Sequence, residues 1–193
     1  MEPSYRVRQD LATGKHGMKL TWFGGTTLRI YSGGMIVVLD PAGAPAGIDA
    51  AELVAGADLV VGDFGAARET VDLASWKPQK PARPLDDGDA PVLGCWSAGR
   101  HAVLIEAPGE PVLLLARGAL PALGRWADGA VVVLFGDGAG QATAGLGILA
   151  QRAPRLLALT GDESAVDLAI GRLRGQLDGT SLVALEAGLA LEI

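Results

Sequence analysis

Histidine and cysteine are scarce in this chain: His16 and His101 are the only two of the first, and Cys95 is the only one of the second, in 193 residues. A protein-bound zinc ion takes about three or four imidazole, thiolate or carboxylate ligands held on a rigid scaffold. Two histidines in separate segments and a lone cysteine cannot supply that. The single cysteine also excludes an internal disulfide, which agrees with a reducing compartment. No run of about 18 apolar residues occurs, so no segment reads as a membrane-spanning helix. The first 17 residues are polar and lack the apolar stretch of a secretion signal. Positive charge is in the minority, with 16 Lys and Arg against 22 Asp and Glu and a formal charge of −6. Phosphate binding depends on clustered cations, so nucleic acid is excluded as a partner. The expectation is a soluble cytoplasmic protein.

What remains is ordinary and rather apolar: 49 % hydrophobic and 20 % charged residues, in a chain long enough for one full core. Residues 1–17 read as a flexible leader, with Met18 as an older start of a single domain over 18–193. The stretch 18–41, MKLTWFGGTTLRIYSGGMIVVLDP, then reads as three strands ending in an Asp-Pro turn. Residues 19–23 form the first, closed by Gly24-Gly25. In 27–31, Thr27, Arg29 and Tyr31 alternate with Leu28 and Ile30. Ser32-Gly33-Gly34 makes a hairpin turn, and 35–39 is the continuous apolar run of a strand buried on both faces.

Further along, Asp49 is the N-cap of a short helix through Val54, followed by a brief strand over 59–61. The proline-rich stretch 70–91, with the acidic turn Asp86-Asp87-Gly88-Asp89, reads as a long connection. Strands follow at 92–96, 101–106 and 112–115, then a helical turn over 120–126 and an apolar strand at 130–135. The glycine-containing loop 136–140 leads to a helix over 141–152, and 155–159 is another buried strand. Asp162 caps a helix whose Val166, Ile170, Leu173 and Leu177 form one apolar stripe. Residues 181–185 and 189–193 are expected to close the chain as a hairpin across Glu186-Ala187-Gly188.

The opening stretch, a strand, a glycine pair, a hairpin and then Val-Val-Leu-Asp-Pro, resembles the amino-terminal signature of the metallo-β-lactamase superfamily. It is most similar to the small metal-dependent-hydrolase-like members, in which it runs W-x-G-H-A/S, hairpin, I-x-x-D-P. The resemblance implies a four-layer αββα sandwich with mixed sheets, built as two αβ halves packed sheet to sheet. It also implies a metal cage, and each part of that cage is altered. Gly25 stands where the signature has histidine. Residues 62–69, GDFGAARE, replace H-x-H-x-D-H and leave Asp63 and Glu69 as the only possible ligands there, with Arg68 read as paired to a nearby acid. Arg117, within Ala116-Arg117-Gly118-Ala119, lies where the family has a G-D-T-like segment with a bridging aspartate. Thr160 replaces the last histidine ligand. His101 sits at a strand start, away from any ligand motif, and reads as structural.

The leading expectation is therefore a pseudoenzyme: a domain of this fold without zinc, or any other cofactor, that acts by binding a protein or a small ligand. A second reading keeps a hydrolase in which Asp40, Asp63 and Asp162, all at strand ends, hold magnesium or serve as acid and base. Against it, Asp40 and Asp162 read as caps and Asp63 as solvated. A third reading uses residues 136–140 as a phosphate-binding loop. The dinucleotide fingerprint fails there, because Thr143 or Gln141 occupies the position of its last glycine, and no Walker lysine is present. Trp22, Trp76, Trp96 and Trp126 lie near loops or strand ends, where some could anchor a homo-oligomer.

Overall fold

The computed structural model describes residues 17–66, 69–79 and 93–193. The leader up to His16, the partner of Arg68 and the acidic turn at Asp86 lie outside them. In chain order the elements are β1 (Lys19–Gly24), β2 (Thr27–Ser32), β3 (Met35–Leu39), α1 (Ala50–Val54), β4 (Leu59–Val61), β5 (Gly94–Ala98), β6 (Ala102–Glu106), β7 (Leu113–Arg117), β8 (Val131–Phe135), α2 (Gly138–Leu149), β9 (Leu156–Leu159), α3 (Glu163–Leu173), β10 (Ser181–Ala184) and β11 (Ala190–Glu192).

Two mixed sheets result, a five-stranded one in the order β11-β1-β2-β3-β4 and a six-stranded one in the order β10-β9-β8-β7-β6-β5. Their inner faces meet in one apolar layer. Leu20, Leu28, Ile30, Val37 and Leu39 come from the first sheet, and Val103, Ile105, Leu113, Leu115, Val131 and Val133 from the second. Intervening residues of the six-stranded sheet, such as Leu104, Leu114, Val132, Leu134 and Leu157, point the other way. They pack against Ala142 and Ile148 of α2 and Val166, Ala169 and Leu173 of α3. A strand covered on both faces needs apolar residues at every position, which is why β8 reads VVVLF without alternation. Each fully buried Leu or Val there contributes about 1.5–3 kcal/mol relative to exposure. The architecture is thus an α/β sandwich with α2 and α3 on the outside of the six-stranded sheet. On the outer face of the five-stranded sheet, α1 is held by Arg29, whose guanidinium donates to the carbonyls of Leu53 (3.0 Å) and Ala55 (3.2 Å). Among the described residues no helix is long and apolar enough to cross a membrane.

Three expectations need correction. The last two strands do not form a hairpin: β10 runs parallel to β9 in the six-stranded sheet, and β11 pairs antiparallel with β1 in the other. Glu186-Ala187-Gly188 is a crossing between sheets, fixed by Leu185 N–H on Leu159 O (2.8 Å) and Gly188 N–H on Trp22 O (2.7 Å). A hairpin would have paired the two segments with each other and left β1 and β9 with bare edges; the crossing satisfies both. The second correction concerns α2, which begins at Gly138, so that three residues of the glycine loop are helical. Asp137 caps it through Gly140 N–H at 2.6 Å, and a Cβ on Gly138 would lie 2.3 Å from the Ala165 carbonyl oxygen. That glycine serves the close approach of α2 and α3. Lastly, the expected helical turn at 120–126 has no regular structure up to Gly124, and a 3-10 turn follows at Arg125–Ala127.

Candidate functional site

The parallel strands β7, β8 and β9 end side by side, and ligands of open α/β sheets gather at such carboxyl ends. Arg117 is the last residue of β7, Gly136 follows β8, and Thr160-Gly161 follows β9. Facing them across the sandwich are Gly25-Thr26, the turn after β1, and Gly43, the end of the 3-10 turn after β3. With Trp22 these groups enclose a cleft of about 360 Å³. Three of the sequence-selected residues, Gly25, Arg117 and Thr160, therefore share one cleft.

Each of its walls has a local cause. Gly25 takes φ +51°, and a Cβ there would meet the Gly43 carbonyl oxygen at 2.9 Å. The indole N–H of Trp22 donates to Gly25 O at 3.1 Å and pins the turn. Thr160 is buried, its hydroxyl donating to Leu134 O at 2.9 Å. The strand ends are tied together by Gln141, a fully buried residue of α2. Its amide Nε2 donates to Gly136 O (2.7 Å) and Thr160 O, and its Oε1 accepts from Thr160 N–H at 3.2 Å. Arg117 has its backbone N–H on His101 O at 2.7 Å, and its guanidinium lies 5.2 Å above the ring of Phe64. Phe64 in turn packs edge-on against Phe135, centroids 5.5 Å apart.

None of the carboxylates Asp40, Asp63, Glu69 and Asp162 is among the residues that line this cleft, and three of them are engaged by nearby N–H groups. Asp40, at φ 45°, caps the 3-10 turn: it accepts from Gly43 N–H at 3.1 Å and from the Thr26 hydroxyl. Asp63 accepts from Gly65 N–H at 2.7 Å. Asp162 caps α3, and the N–H of Ala165, followed by the Ser164 hydroxyl, holds its carboxyl below the ordinary range. Glu69 is exposed, and its carbonyl accepts from Ser97 N–H at 2.8 Å. Among the described residues no group of three His, Cys, Asp or Glu side chains could hold a metal ion. A zinc site needs about three such donors. The cleft presents instead a guanidinium, two threonine hydroxyls that are already donating, an indole and glycine backbone, none of which is a usual zinc ligand.

Phe64 and Gln141 carry much of this geometry, and sequence reasoning did not select them. Phe64 was one letter in a small-residue loop, although a lone aromatic among Gly, Asp and Ala is itself a burial signal. Gln141 entered only as a mismatch to a nucleotide fingerprint.

No protein-family model matches the chain, and no curated protein matches its sequence. Its structure is similar to that of Igni18, described as a novel metallo hydrolase from the hyperthermophilic archaeon Ignicoccus hospitalis. The two share 13 % identity, with 91 % of this chain and 99 % of that one covered at a TM-score of 0.50. The fold is accordingly metallo-hydrolase-like.

Proposed function

We propose that this chain is a metallo-β-lactamase-type domain, an αββα sandwich in plan, whose zinc cage has been replaced and which acts by binding a ligand rather than by hydrolysis. One observation carries the reading. Gly25, Arg117 and Thr160, which stand at positions where the resembling family keeps metal-binding segments, line a single cleft, and none of the three offers a metal-ligating side chain. The loop that would hold the main histidine cluster sends Phe64 into the core instead, beneath Arg117. A divalent cation 4 Å from the single positive charge of a guanidinium is repelled by about 8 kcal/mol in an effective dielectric of 20. In this reading the protein resides in the cytoplasm and its partner is a protein or a small molecule, not nucleic acid.

The test is elemental analysis of the full chain, purified without chelator from cells grown with added zinc. Less than about one zinc ion per ten chains is the expected result. Stoichiometric zinc that survives dialysis overturns the reading.

A further inference from the structure

We infer that the cleft at the ends of β7, β8 and β9 is a binding site for a small organic monocarboxylate with an apolar body. This rests on the reading above, that the cleft does not hold zinc. A volume of about 360 Å³ falls at the lower end of the roughly 300–1,000 Å³ of small-molecule sites. Its walls are mostly apolar surface and glycine backbone, with Trp22 at one side, and among the described residues Arg117 is the one cation lining it.

Arg117 is poised for an anion. Among the described residues its guanidinium has no carboxylate within salt-bridge distance, the only ion pair being that of Lys19 with Glu192. The guanidinium carbon lies 5.2 Å from the centre of the Phe64 ring, a cation–π contact that uses none of the N–H donors. A planar fork of this kind matches a carboxylate in two parallel hydrogen bonds.

Charge selects a monoanion. Asp40 and Asp162 flank the cleft as carboxylates that accept from the N–H groups of Gly43 and Ala165. A single guanidinium balances one negative charge, whereas a phosphate dianion would face those two carboxylates with its second charge uncompensated. The Thr160 hydroxyl, spent on Leu134 O, adds no donor for further phosphate oxygens.

Benzoate and hexanoate serve as probes, titrated into the uniformly ¹⁵N-labelled full chain while the Nε–Hε resonance of Arg117 and, in parent and variants alike, the backbone amides of the cleft residues Gly25, Gly136 and Gly161 are followed. The expected result is a saturable shift with at least one probe, and none with benzyl alcohol or inorganic phosphate. Arg117→Gln should weaken the interaction about tenfold or more, since a hydrogen-bonded charge pair is lost. Arg117→Lys, which keeps the charge without the fork, should fall between. Equal affinity in R117Q, or no saturable shift with either acid, overturns the proposal. If R117Q fails to fold, R117K and the Nε–Hε signal carry the same decision. Metal content measured on the same sample separates the two readings. Carboxylate binding that disappears with chelation of stoichiometric zinc defeats the zinc-free reading and this one together. A zinc-free chain indifferent to both acids defeats only the monocarboxylate site.

Discussion

Replacing Gln141 by leucine keeps the volume of a fully buried side chain and removes an amide that holds two strand ends together. Its Nε2 is the donor shared by Gly136 O and Thr160 O, while its Oε1 accepts from Thr160 N–H. Thr160 N–H keeps a second acceptor, Leu134 O at 3.2 Å, so the loss falls on the two carbonyls. Stranding a buried acceptor costs about 1–3 kcal/mol. Water entering from the cleft can reach Gly136 more easily than Thr160, and leucine regains some apolar burial. A net loss of about 2–4 kcal/mol follows for Gln141→Leu. For a domain of this size that lowers Tm by about 4–16 °C. Urea unfolding followed by circular dichroism should show a lower midpoint with an unchanged m-value, because the surface exposed on unfolding stays the same. Gln141→Glu sharpens the test. At neutral pH a carboxylate has no donor for either carbonyl, and on protonation it regains one O–H. The variant should therefore recover stability as pH falls, as a buried acid with a raised pKa must. A Gln141→Leu protein within about 0.5 kcal/mol of the parent, the range of neutral surface changes, or a Gln141→Glu protein with no such recovery, would refute the tie.

Burial pushes the Glu106 carboxyl above its ordinary value, opposed in smaller part by the Gln79 N–H bonded to it at 2.6 Å. A raised folded pKa means stability is fullest below the unfolded value of about 4.3 and declines as pH rises through the folded one. Glu106→Gln keeps the acceptor and removes the charge, so it should be more stable than the parent at pH 7, with the gap closing toward pH 4. A parent-like melt at both pH values contradicts this. Burial likewise pushes the Cys95 thiol up to about 11. At pH 8 it should carry about two orders of magnitude less thiolate than an ordinary cysteine of pKa about 8.5. Alkylation of the native chain by iodoacetamide should therefore be slow and become fast in urea; a free-thiol rate in the native state contradicts the burial.

Where structure depends on neighbours in sequence, it was legible. The strands at 19–23, 27–31 and 35–39 and the helix through Val54 follow from apolar alternation and glycine turns, and the structure departs from those bounds by a single residue at most. The caps Asp49 and Asp162 were readable because a side-chain oxygen reaching the next N–H groups is a contact within three residues. What failed depends on distant partners. Whether the segments at 181 and 189 pair with each other or with β9 and β1 is decided by which sheet edges stand empty, and no local pattern states that. The glycines at 136, 138 and 140 suggested a loop, yet Gly138 is there because Ala165 approaches it, 27 positions along the chain. Of the candidate site residues picked from the sequence, Gly25, Arg117 and Thr160 line one cleft. The groups that build it, Phe64 and Gln141, were not legible, because each acts on residues remote in sequence.

Those departures are physically coupled, and this bears on how the cleft could have changed. Gly25 sits in a left-handed turn that leaves no room for a Cβ under Gly43 O, so a histidine there requires the backbone of both turns to move. Phe64 is wedged against Phe135, and Arg117 is stacked on Phe64. Removing the guanidinium would uncover the ring, and removing the ring would free the guanidinium to swing. A single imidazole placed at position 25 would thus face a tightened turn on one side and a positive charge on the other. The sign of that charge is what gives the cleft continuity of purpose under the binding reading. A zinc ion presents positive charge to an anionic substrate and polarises the bond to be broken; in the binding reading, Arg117 supplies the first of these and not the second. Under that reading, a site that attracts carboxylates without a Lewis acid keeps recognition and leaves hydrolysis without an agent, and its cation is one that a chelator cannot remove.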